Sequence, residues 1–351
     1  MTIAGLDIGG TKIAAVALRA PLGGAPGGAP GGAPRTEADV LVRTHAPHRI
    51  QGPESLVDAV AACVRELDEH LAATGQSPVS AVGLAIAAWM TRDRETVVWA
   101  AHLGVRDFAL RAALEARLGM PVTLDNDANG YLLGEAAMGA AADASSSILI
   151  ALGTGVGGAY IEGERPLLGA HGLGGELGHV TVDESGPVCS CTARGCIESY
   201  AGGNALARDA AGVPAAVALA AAEAARTAEA ADASAGARPE APSGAIAGAR
   251  PTAVHLAAAA RAGDAEALAV MERAGWAVAA GLRRLLPAFD PEVVVLGGRV
   301  LLSCADLLLP VIERELAEHV PLQAVPQPRR LELARLGDHA AAIGAAVLAS
   351  R

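Results

Sequence analysis

The apolar residues of this chain form two patterns, short continuous runs and spacings of three or four. Short continuous runs are typical of buried strands. They occur at residues 2–8, 13–18, 80–86, 122–124, 146–152 and 293–296. The first two runs are separated by Gly9-Gly10-Thr11-Lys12, and the run at 146–152 leads into a second glycine turn. Each of these two places therefore predicts a strand, a tight turn and a second strand.

Apolar residues spaced by three and four predict helices with one buried face. This spacing begins at Val57 and recurs at Val60, Val64, Leu67 and Leu71. Further helices are predicted at 110–118 before Gly119 and Pro121, from the polar segment at 125–129 to about residue 141, around 264–286, and at 338–350.

Two segments are low in complexity. Gly-Gly-Ala-Pro is repeated after residue 21, which predicts a flexible loop tip between strands. The region near 231–252 interrupts an alanine-rich helical stretch, and its composition predicts a disordered insertion. The strand–turn–strand unit at 3–18 recurs at 147–161, so we expect two related α/β domains with a phosphate clamp between them.

Composition and charge narrow the classes of function. The 351 residues are 52% hydrophobic but only 2% aromatic, so alanine, valine and leucine must fill the core. The net charge of −11, without a basic stripe, argues against a nucleic-acid partner. The N-terminus reads as a strand rather than a signal peptide, and charged residues break the alanine-rich stretch at 214–235, so no membrane partner is expected. Five cysteines, three of them clustered, fit a reducing, cytoplasmic setting.

The two glycine turns favour phosphate binding. Glycine turns present backbone N–H groups without side chains in the way, and Asp7, Thr11 and Lys12 add a carboxylate, a hydroxyl and an ammonium group to the first turn. Phosphoryl transfer needs positive charge around the migrating group and a carboxylate for Mg²⁺. Neither turn has the spacing of a Walker or Rossmann motif, and the alternative for each is a plain tight hairpin.

The segment Asp125-Asn126-Asp127 directly follows a predicted strand. Alternation along a strand predicts that Asp125 and Asp127 share one side while Asn126 faces away. A carboxylate at a strand end is suited to accept the proton of a sugar hydroxyl as that oxygen attacks phosphorus. In the competing interpretation Asp127 or Asn129 only caps the next helix, and for Asn129 this is the preferred one.

A cluster of cysteines suggests a metal site. Cys189, Cys191 and Cys196 have the spacing C-x-C-x₄-C, and His179 lies ten residues before the first. Three thiolates and one imidazole complete a tetrahedral structural zinc site, whereas a redox pair of the C-x-x-C type is absent. Free structural thiols remain the alternative.

These segments together resemble the ROK family of sugar kinases and repressors, and within it the ATP-dependent glucokinases. The resemblance covers nearly the whole chain apart from the two low-complexity segments. It rests on motifs in the family's order, "LDIGGTK" (6–12), "DNDAN" (125–129), "LGTGVGG" (152–158), "GGELGH" (174–179), "CSCTARGCIESYAGG" (189–203) and "VVLGG" (294–298).

The resemblance implies a two-domain actin-like/ribonuclease H-like ATPase fold with an interdomain cleft. A small α/β domain would comprise 1–121 with the returning C-terminal helix at 339–351, and a large α/β domain would comprise 122–338 with the zinc loop. The substrates would be ATP and a hexose, with Mg²⁺ and a structural Zn²⁺, and the chain would form a dimer or tetramer.

The resemblance also implies a role for each site residue. Asp127 would be the general base on the sugar's 6-hydroxyl, and Asp7 would lie near Mg²⁺. Sugar hydroxyls would be bound by Asn126, Glu176, His179 and Glu198, and His179 would bind zinc through its other ring nitrogen together with Cys189, Cys191 and Cys196. Phosphates and nucleotide would be bound by Gly9, Gly10, Thr11, Lys12, Gly153, Thr154, Gly155, Gly297 and Gly298.

The chain departs from the family pattern at three places. Thr192 replaces a glycine in the cysteine motif, Trp89 and Met90 follow a strand where a small turn is usual, and His102 occupies the position of a sugar-binding asparagine. Imidazole donates and accepts hydrogen bonds with a different geometry from an amide, so we include His102 among the sugar-binding candidates. Trp89 either lines the pocket or fills the core beside it.

Several functions compete with glucose phosphorylation. The departures at Trp89 and His102 favour, as an alternative, a kinase for an amino- or N-acetyl-hexose. A ROK-type transcriptional regulator is disfavoured because no basic helix is seen, and an inactive sugar sensor is disfavoured because Asp7, Asp127 and both glycine turns are retained. Polyphosphate is an alternative donor, although "VVLGG" favours ATP.

Overall fold

The computed structural model describes residues 1–20, 36–163, 165–234, 250–319 and 330–351. The Gly-Gly-Ala-Pro repeat and residues 235–249 of the predicted insertion lie outside the described residues. The strands are β1 (Thr2–Ile8), β2 (Lys12–Arg19), β3 (Val40–Pro47), β4 (Val79–Ile86), β5 (Trp89–Met90), β6 (Val97–Ala100), β7 (Val105–Phe108), β8 (Val122–Asn126), β9 (Ser146–Leu152), β10 (Val156–Glu162), β11 (Arg165–Pro166), β12 (Val293–Gly297) and β13 (Arg330–Leu333).

Helices cover the strand connections. They are α1 (Pro53–Ala73), α2 (Leu110–Leu118), α3 (Asp127–Met138), α4 (Glu198–Ala201), α5 (Gly203–Ala210), α6 (Pro214–Ser234), α7 (Ala253–Arg261), α8 (Ala265–Phe289), α9 (Arg299–Ser303), α10 (Ala305–His319) and α11 (Ala340–Ala349). Within the described part of the chain no single helix is long and apolar enough to cross a membrane; only the bent pair formed by α5 and residues 214–227 of α6 reaches that length and apolar composition.

Two five-stranded sheets have the same design. The first has the order β3-β2-β1-β4-β8 and the second β11-β10-β9-β12-β13. In each, the first strand in sequence pairs antiparallel with the second and parallel with the strand on its other side. This repetition agrees with the internal repeat seen in the sequence. The predicted division into two domains at 121/122 stays a prediction, and the first sheet itself continues to Asn126.

Helix α11 packs so closely against the first sheet that its backbone contacts the backbone of the strands. A β-carbon on Gly5 would lie 1.9 Å from the carbonyl oxygen of Ala342, and one on Gly83 would lie 1.9 Å from that of Ala345. A β-carbon on Gly344 would lie 1.8 Å from the carbonyl oxygen of Gly130 in α3. Because only glycine fits at such contacts, α11 holds β1, β4 and α3 in one packed layer.

The helix predicted from Val57 is α1, and its buried face is close to the predicted one. Val60, Val64, Leu67 and Leu71 are buried against the first sheet, while Leu56 is buried in place of Val57. Helix α2 ends where predicted, because Gly119 adopts the left-handed conformation that ends helices.

A small antiparallel sheet of β5, β6 and β7 was not expected from the sequence. In it, Met90 is buried, whereas Trp89 remains 46% exposed and packs edge-to-face against Trp99 with ring centroids 5.1 Å apart. The interpretation of Trp89 as a core residue is therefore wrong, and Met90 is the one that fills the core.

Candidate active site

Hydrogen bonds within its own backbone and to His48 fix the conformation of the turn between β1 and β2. The Gly9 amide donates to the Lys12 carbonyl (3.1 Å), and a β-carbon on Gly10 would have no heavy atom within 4 Å. The His48 amide donates to the Thr11 carbonyl (3.1 Å). Because His48 Nδ1 accepts from the Ile50 amide (3.2 Å), its Nε2 is the nitrogen that donates to the Gly9 carbonyl (2.8 Å). The turn therefore exposes backbone groups on a fixed frame.

Asp7 at the end of β1 lies in a strongly negative environment. Burial raises its pKa, the charges of Asp127 and Asp338 raise it further, and Lys12 opposes them, which brings the pKa to about 7. A cation bound beside this carboxylate would relieve the same repulsion. The donor chemistry therefore fits a divalent ion such as Mg²⁺.

Two cations share one carboxylate at a cavity beside this turn. Lys12 Nζ lies 2.6 Å and Arg299 Nη2 lies 2.9 Å from Asp338 Oδ2. The cavity has a volume of about 430 Å³ and is also lined by Asp7, Tyr131 and Gly298. Positive charge near exposed backbone N–H groups is what a polyphosphate requires.

Gly298 has no room for a side chain. Its φ is +84°, and a β-carbon there would lie 2.3 Å from the Leu152 carbonyl oxygen. The Gly298 amide also donates to Tyr131 Oη (3.4 Å). Of the predicted pair, Gly298 lines the cavity, while Gly297 is the buried last residue of β12.

The second glycine turn, between β9 and β10, is supported from the start of α5. The amides of Gly203 and Asn204 donate to the carbonyls of Gly153 and Thr154, both at 2.9 Å. A β-carbon on Gly153 would meet nothing within 4 Å. Thr154 is exposed, so its hydroxyl is available to a ligand.

The Asp127 corner differs from the predicted arrangement. Asp127 is already the first residue of α3, so strand alternation does not extend to it. The helix is capped by Asn126, whose Oδ1 accepts from the Ala128 amide (2.9 Å), and not by Asp127 or Asn129. Asn129 instead donates to Asp125 Oδ1 (2.9 Å), and Asp125 is only 3% exposed.

Asp127 interacts electrostatically with groups on both sides of the site. Burial raises its pKa, while the Ala128 amide and the charge of His102 lower it. Its own charge raises the pKa of Asp7, beside the first glycine turn, and contributes to the raised pKa of Glu176, which is due mainly to burial. Asp127 is thus electrostatically coupled to both carboxylates.

The predicted segment from Glu176 to His179 packs tightly on β10. Glu176 precedes a short 3₁₀ turn at Leu177–His179. A β-carbon on Gly178 would lie 2.0 Å from the Val156 carbonyl oxygen, so any larger residue would push the turn away from the strand. This contact explains why a glycine precedes His179.

Glu198 at the start of α4 fixes the second glycine turn to the cysteine loop. Its Oε2 accepts from the Val156 amide (3.1 Å), and its Oε1 accepts from Ser190 Oγ (2.6 Å). A β-carbon on Gly155 would lie 2.4 Å from Glu198 Oε2. Gly155 therefore contacts a predicted sugar-binding carboxylate, in addition to its place in the predicted phosphate turn.

The four predicted zinc ligands come together. Their donor atoms all lie within 4.8 Å of one another, with His179 Nδ1 3.4 Å from Cys189 Sγ and Cys191 Sγ 3.7 Å from Cys196 Sγ. A tetrahedral ion with bonds of about 2.3 Å to sulfur has ligands roughly 3.8 Å apart. The cluster therefore fits zinc, and His179 turns Nδ1 toward it.

Thr192, which replaces the family's glycine, adopts a glycine-like backbone conformation. Its φ is +73°, within the left-handed region that is strained for residues with a branched β-carbon. The loop is nevertheless closed by hydrogen bonds of the Cys189 amide to Ala193 (2.8 Å) and of the Thr192 amide to Cys189 (3.0 Å). The departure thus adds strain without breaking the loop.

His102 is an exposed residue in a short 3₁₀ turn at Ala101–Leu103. Partial desolvation lowers its pKa, while the charge of Asp127 opposes this. The charges of His102 and Asp127 are therefore electrostatically coupled. Sequence reasoning missed His48, Tyr131, Arg299 and Asp338, because each contacts the predicted motifs from a distant part of the chain.

Two similar five-stranded sheets, each with a glycine turn between its first two strands in sequence, are typical of the actin-like ATPase fold, and solved structures agree. The chain is similar to a ROK hexokinase from Thermus thermophilus (TM-score 0.73, 30% identity, covering 99% of this chain and 98% of that one). It is also similar to a ROK family glucokinase from Streptomyces griseus in complex with glucose and AMPPNP (TM-score 0.72, 31% identity, 99% of each chain).

The sequence profile of the ROK family matches residues 33–351, and the chain belongs to this family. A glucokinase from Streptomyces coelicolor is 36% identical over 204 residues, 58% of this chain, so the chain spans 57% of the length of that relative.

Other curated relatives have different functions. An N-acetylmannosamine kinase from Escherichia fergusonii is 32% identical over 215 residues (60% of this chain, 65% of that protein). A putative xylose repressor from Caldicellulosiruptor sp. is 36% identical over 131 residues (37% and 33%).

Proposed function

We propose that this protein is a sugar kinase that transfers the γ-phosphate of ATP to the 6-hydroxyl of a hexose, with glucose as the first choice. The observation that carries the proposal is the position of Asp127, whose charge acts on Asp7 on the phosphate side and on Glu176 on the sugar side. A general base for phosphoryl transfer must lie within hydrogen-bond reach of the acceptor hydroxyl, and that hydroxyl must point at the transferred phosphate.

Asp127 acts as the general base. Burial raises its pKa, which makes the ionised carboxylate a stronger proton acceptor. The N-terminus of α3 supplies a partial positive charge that keeps the group ionised at neutral pH. It takes the proton from the 6-hydroxyl as that oxygen attacks the γ-phosphorus, and the bond from phosphorus to the β,γ-bridging oxygen breaks.

The phosphates bind between the two glycine turns. Lys12 and Arg299 both pair with Asp338, and both lie where an incoming triphosphate would compete for them. Mg²⁺ would be held near Asp7 and would neutralise phosphate charge. The backbone donors would be amides of the two turns other than those of Gly9 and Gly153, which already donate to the carbonyls of Lys12 and Gly155.

The sugar is bound opposite the phosphates, and zinc organises this side. Asn126, Glu176, Glu198 and His102 offer donors and acceptors to its hydroxyls. His179 directs Nδ1 to the cysteines, so Nε2 is left for a sugar hydroxyl, and a zinc ion held by these four residues would fix the tautomer and direction of the ring. The metal takes no part in bond breaking.

A kinase for an amino- or N-acetyl-hexose is the second candidate. The similarity to an N-acetylmannosamine kinase and the changes at Trp89 and His102 support it. A sugar-sensing regulator is the third, supported by the similarity to a xylose repressor. Oligomerisation as a dimer or tetramer and closure of the two halves around the sugar, which would exclude water, belong to the same proposal.

The identity of the substrate is tested with a coupled assay of ADP formation over a panel of hexoses, amino-hexoses and N-acetyl-hexoses. Glucose with the highest kcat/KM supports the first candidate, and an amino sugar turned over equally well overturns the choice of glucose. ADP formation with no sugar in the panel would overturn the kinase proposal and leave the regulator. Replacing ATP by polyphosphate in the same assay tests the donor.

The role of Asp127 is tested by Asp127→Asn, with Asp58→Asn on the exposed surface of α1 as a control. Loss of a general base is expected to lower kcat by about 10²- to 10⁴-fold, while sugar binding and the unfolding temperature change little. An Asp127→Asn variant with more than a tenth of the wild-type kcat would contradict the role.

A further inference from the structure

Arg94 is buried where an arginine would ordinarily be exposed. It lies in the turn between β5 and β6, and its neighbours Arg92, Asp93 and Glu95 are exposed, whereas Arg94 is 8% exposed. Its backbone φ is +58°, in the left-handed region. The turn is shaped by hydrogen bonds of its own, including that from the Arg94 amide to the Thr91 carbonyl (2.9 Å). These features point its side chain into the protein.

The guanidinium group of Arg94 joins two segments that carry site residues. Its Nε lies 3.1 Å from Asp125 Oδ1, and its Nη1 donates to the Gly172 carbonyl (3.0 Å). The same Asp125 oxygen accepts from the Asn126 amide (2.7 Å) and from Asn129 Nδ2 (2.9 Å). One side of Arg94 is thus fixed to the corner that presents Asn126 and Asp127.

The other side of Arg94 is fixed to the segment that leads to Glu176. Gly172 has a φ of +81°, and a β-carbon there would lie 2.5 Å from the Met90 carbonyl oxygen, so this turn is pressed onto the β5–β6 hairpin. Gly175, just before Glu176, approaches the same corner, because a β-carbon on it would lie 3.9 Å from Asn129 Oδ1. The Asn126–Asp127 corner, the β5–β6 hairpin and the segment that leads to Glu176 therefore meet around the side chain of Arg94.

Stability alone does not account for this arrangement. A buried ion pair is often no better for stability than a well-packed apolar pair. Here the left-handed backbone adds strain, and Arg94 Nε and Nη2 are both buried without a hydrogen-bond partner among the described residues, so Nε meets Asp125 as an ion pair only. Costs of this kind are typical of groups retained for the geometry they impose.

We propose that Arg94 is a positioning residue for sugar binding, which holds the Asn126–Asp127 corner and the Glu176 segment at a fixed separation so that one sugar is bound by both. This inference rests on the proposed function, because the KM measurements that test it require kinase activity. It predicts weaker sugar binding and, through the Asp127 corner, a lower kcat, with the ATP KM little changed, because the polar contacts of Arg94 are with Asp125 and Gly172 and not with a glycine turn.

The test uses Arg94→Ala and Arg94→Lys, with Arg92→Ala in the same turn as the matched control. Displacing one wall of a site by about 1 Å is enough for a large loss, so Arg94→Ala should raise the sugar KM and the sugar Kd by about tenfold or more. The ATP KM should stay within twofold, Arg94→Lys should be intermediate, and Arg92→Ala should match the wild type. A sugar KM unchanged within twofold, or equal rises of both KM values, would overturn the proposal.

Because Arg94→Ala leaves Asp125 buried without its cation, stability needs a separate control. The double variant Arg94→Gln with Asp125→Asn removes both charges and keeps the oxygen that accepts from Asn126 and Asn129. If it unfolds at the wild-type temperature but still binds sugar weakly, positioning is supported; if it regains both stability and affinity, the role is purely structural. The sugar Kd, measured without nucleotide by tryptophan fluorescence or calorimetry, tests the positioning role of Arg94 independently of catalysis. A wild type that phosphorylates no hexose would refute only the kinase proposal.

Discussion

Gly155 offers the sharpest test of whether the second glycine turn serves both nucleotide and sugar, as the proposed function requires. In Gly155→Ala the new β-carbon would lie 2.4 Å from Glu198 Oε2, so the two must separate by at least 0.6 Å to reach the 3.0 Å limit of real contacts. The carboxylate is the end of a flexible side chain, so we expect Glu198 to move while the fold is retained.

The size of the effect follows from that displacement. Misplacement of a substrate-positioning group by about 1 Å costs up to roughly 10²-fold in rate, so a shift of about 0.6 Å should lower kcat/KM for the sugar by about 10- to 100-fold, or about 1.4–2.7 kcal/mol. The ATP KM should change much less.

The assay is steady-state kinetics with each substrate varied in turn, and Gly153→Ala in the same turn is the control. A β-carbon on Gly153 meets nothing within 4 Å, so that variant leaves Glu198 in place and should affect only the nucleotide side. If Gly155→Ala raised the ATP KM and left the sugar kinetics unchanged, the assignment of the Gly155–Glu198 contact to the sugar site would be refuted.

Three further predictions concern the base and the cysteine loop. Because burial raises the pKa of Asp127, which as the proposed base must be deprotonated to act, kcat/KM should fall as pH drops through a value above the ordinary aspartate range; an acid limb at or below about 3.9 would contradict this. Cys191→Ser should abolish the zinc content measured by elemental analysis and weaken sugar binding, since His179 loses its anchor; a zinc-free wild type would refute it. Thr192→Gly should stabilise the zinc-loaded protein by about 0.5–1 kcal/mol in urea unfolding, because relief of about 1–2 kcal/mol of left-handed strain outweighs the entropy of glycine; a less stable variant would show that the loop tolerates Thr192 without strain.

Features encoded by neighbouring residues could be predicted from the sequence. The strands flanking each glycine turn, helix α1 and the end of α2 at Gly119 follow from apolar spacing and from the conformational freedom of glycine. The cysteine cluster was predictable because three of its four ligands lie within eight residues.

Features that depend on distant contacts could not be predicted. Lys12 and Asp338 are 326 residues apart, and nothing in the local pattern around either one indicates their ion pair. Asn126 rather than Asp127 caps α3 because the strand ends one residue earlier than alternation implied. Arg94 reads as an ordinary exposed turn residue until Asp125 and Gly172 are seen beside it.

The close backbone packing of α11 on the first sheet has a consequence for folding during synthesis. Ile86 ends β4, and Ala340 begins the helix that covers it 254 residues later. While the ribosome is still translating the intervening codons, the glycine faces of β1 and β4 have no cover. The nascent N-terminal half must therefore wait for its last partner or be shielded by a chaperone, and truncation before residue 340 should yield insoluble polypeptide.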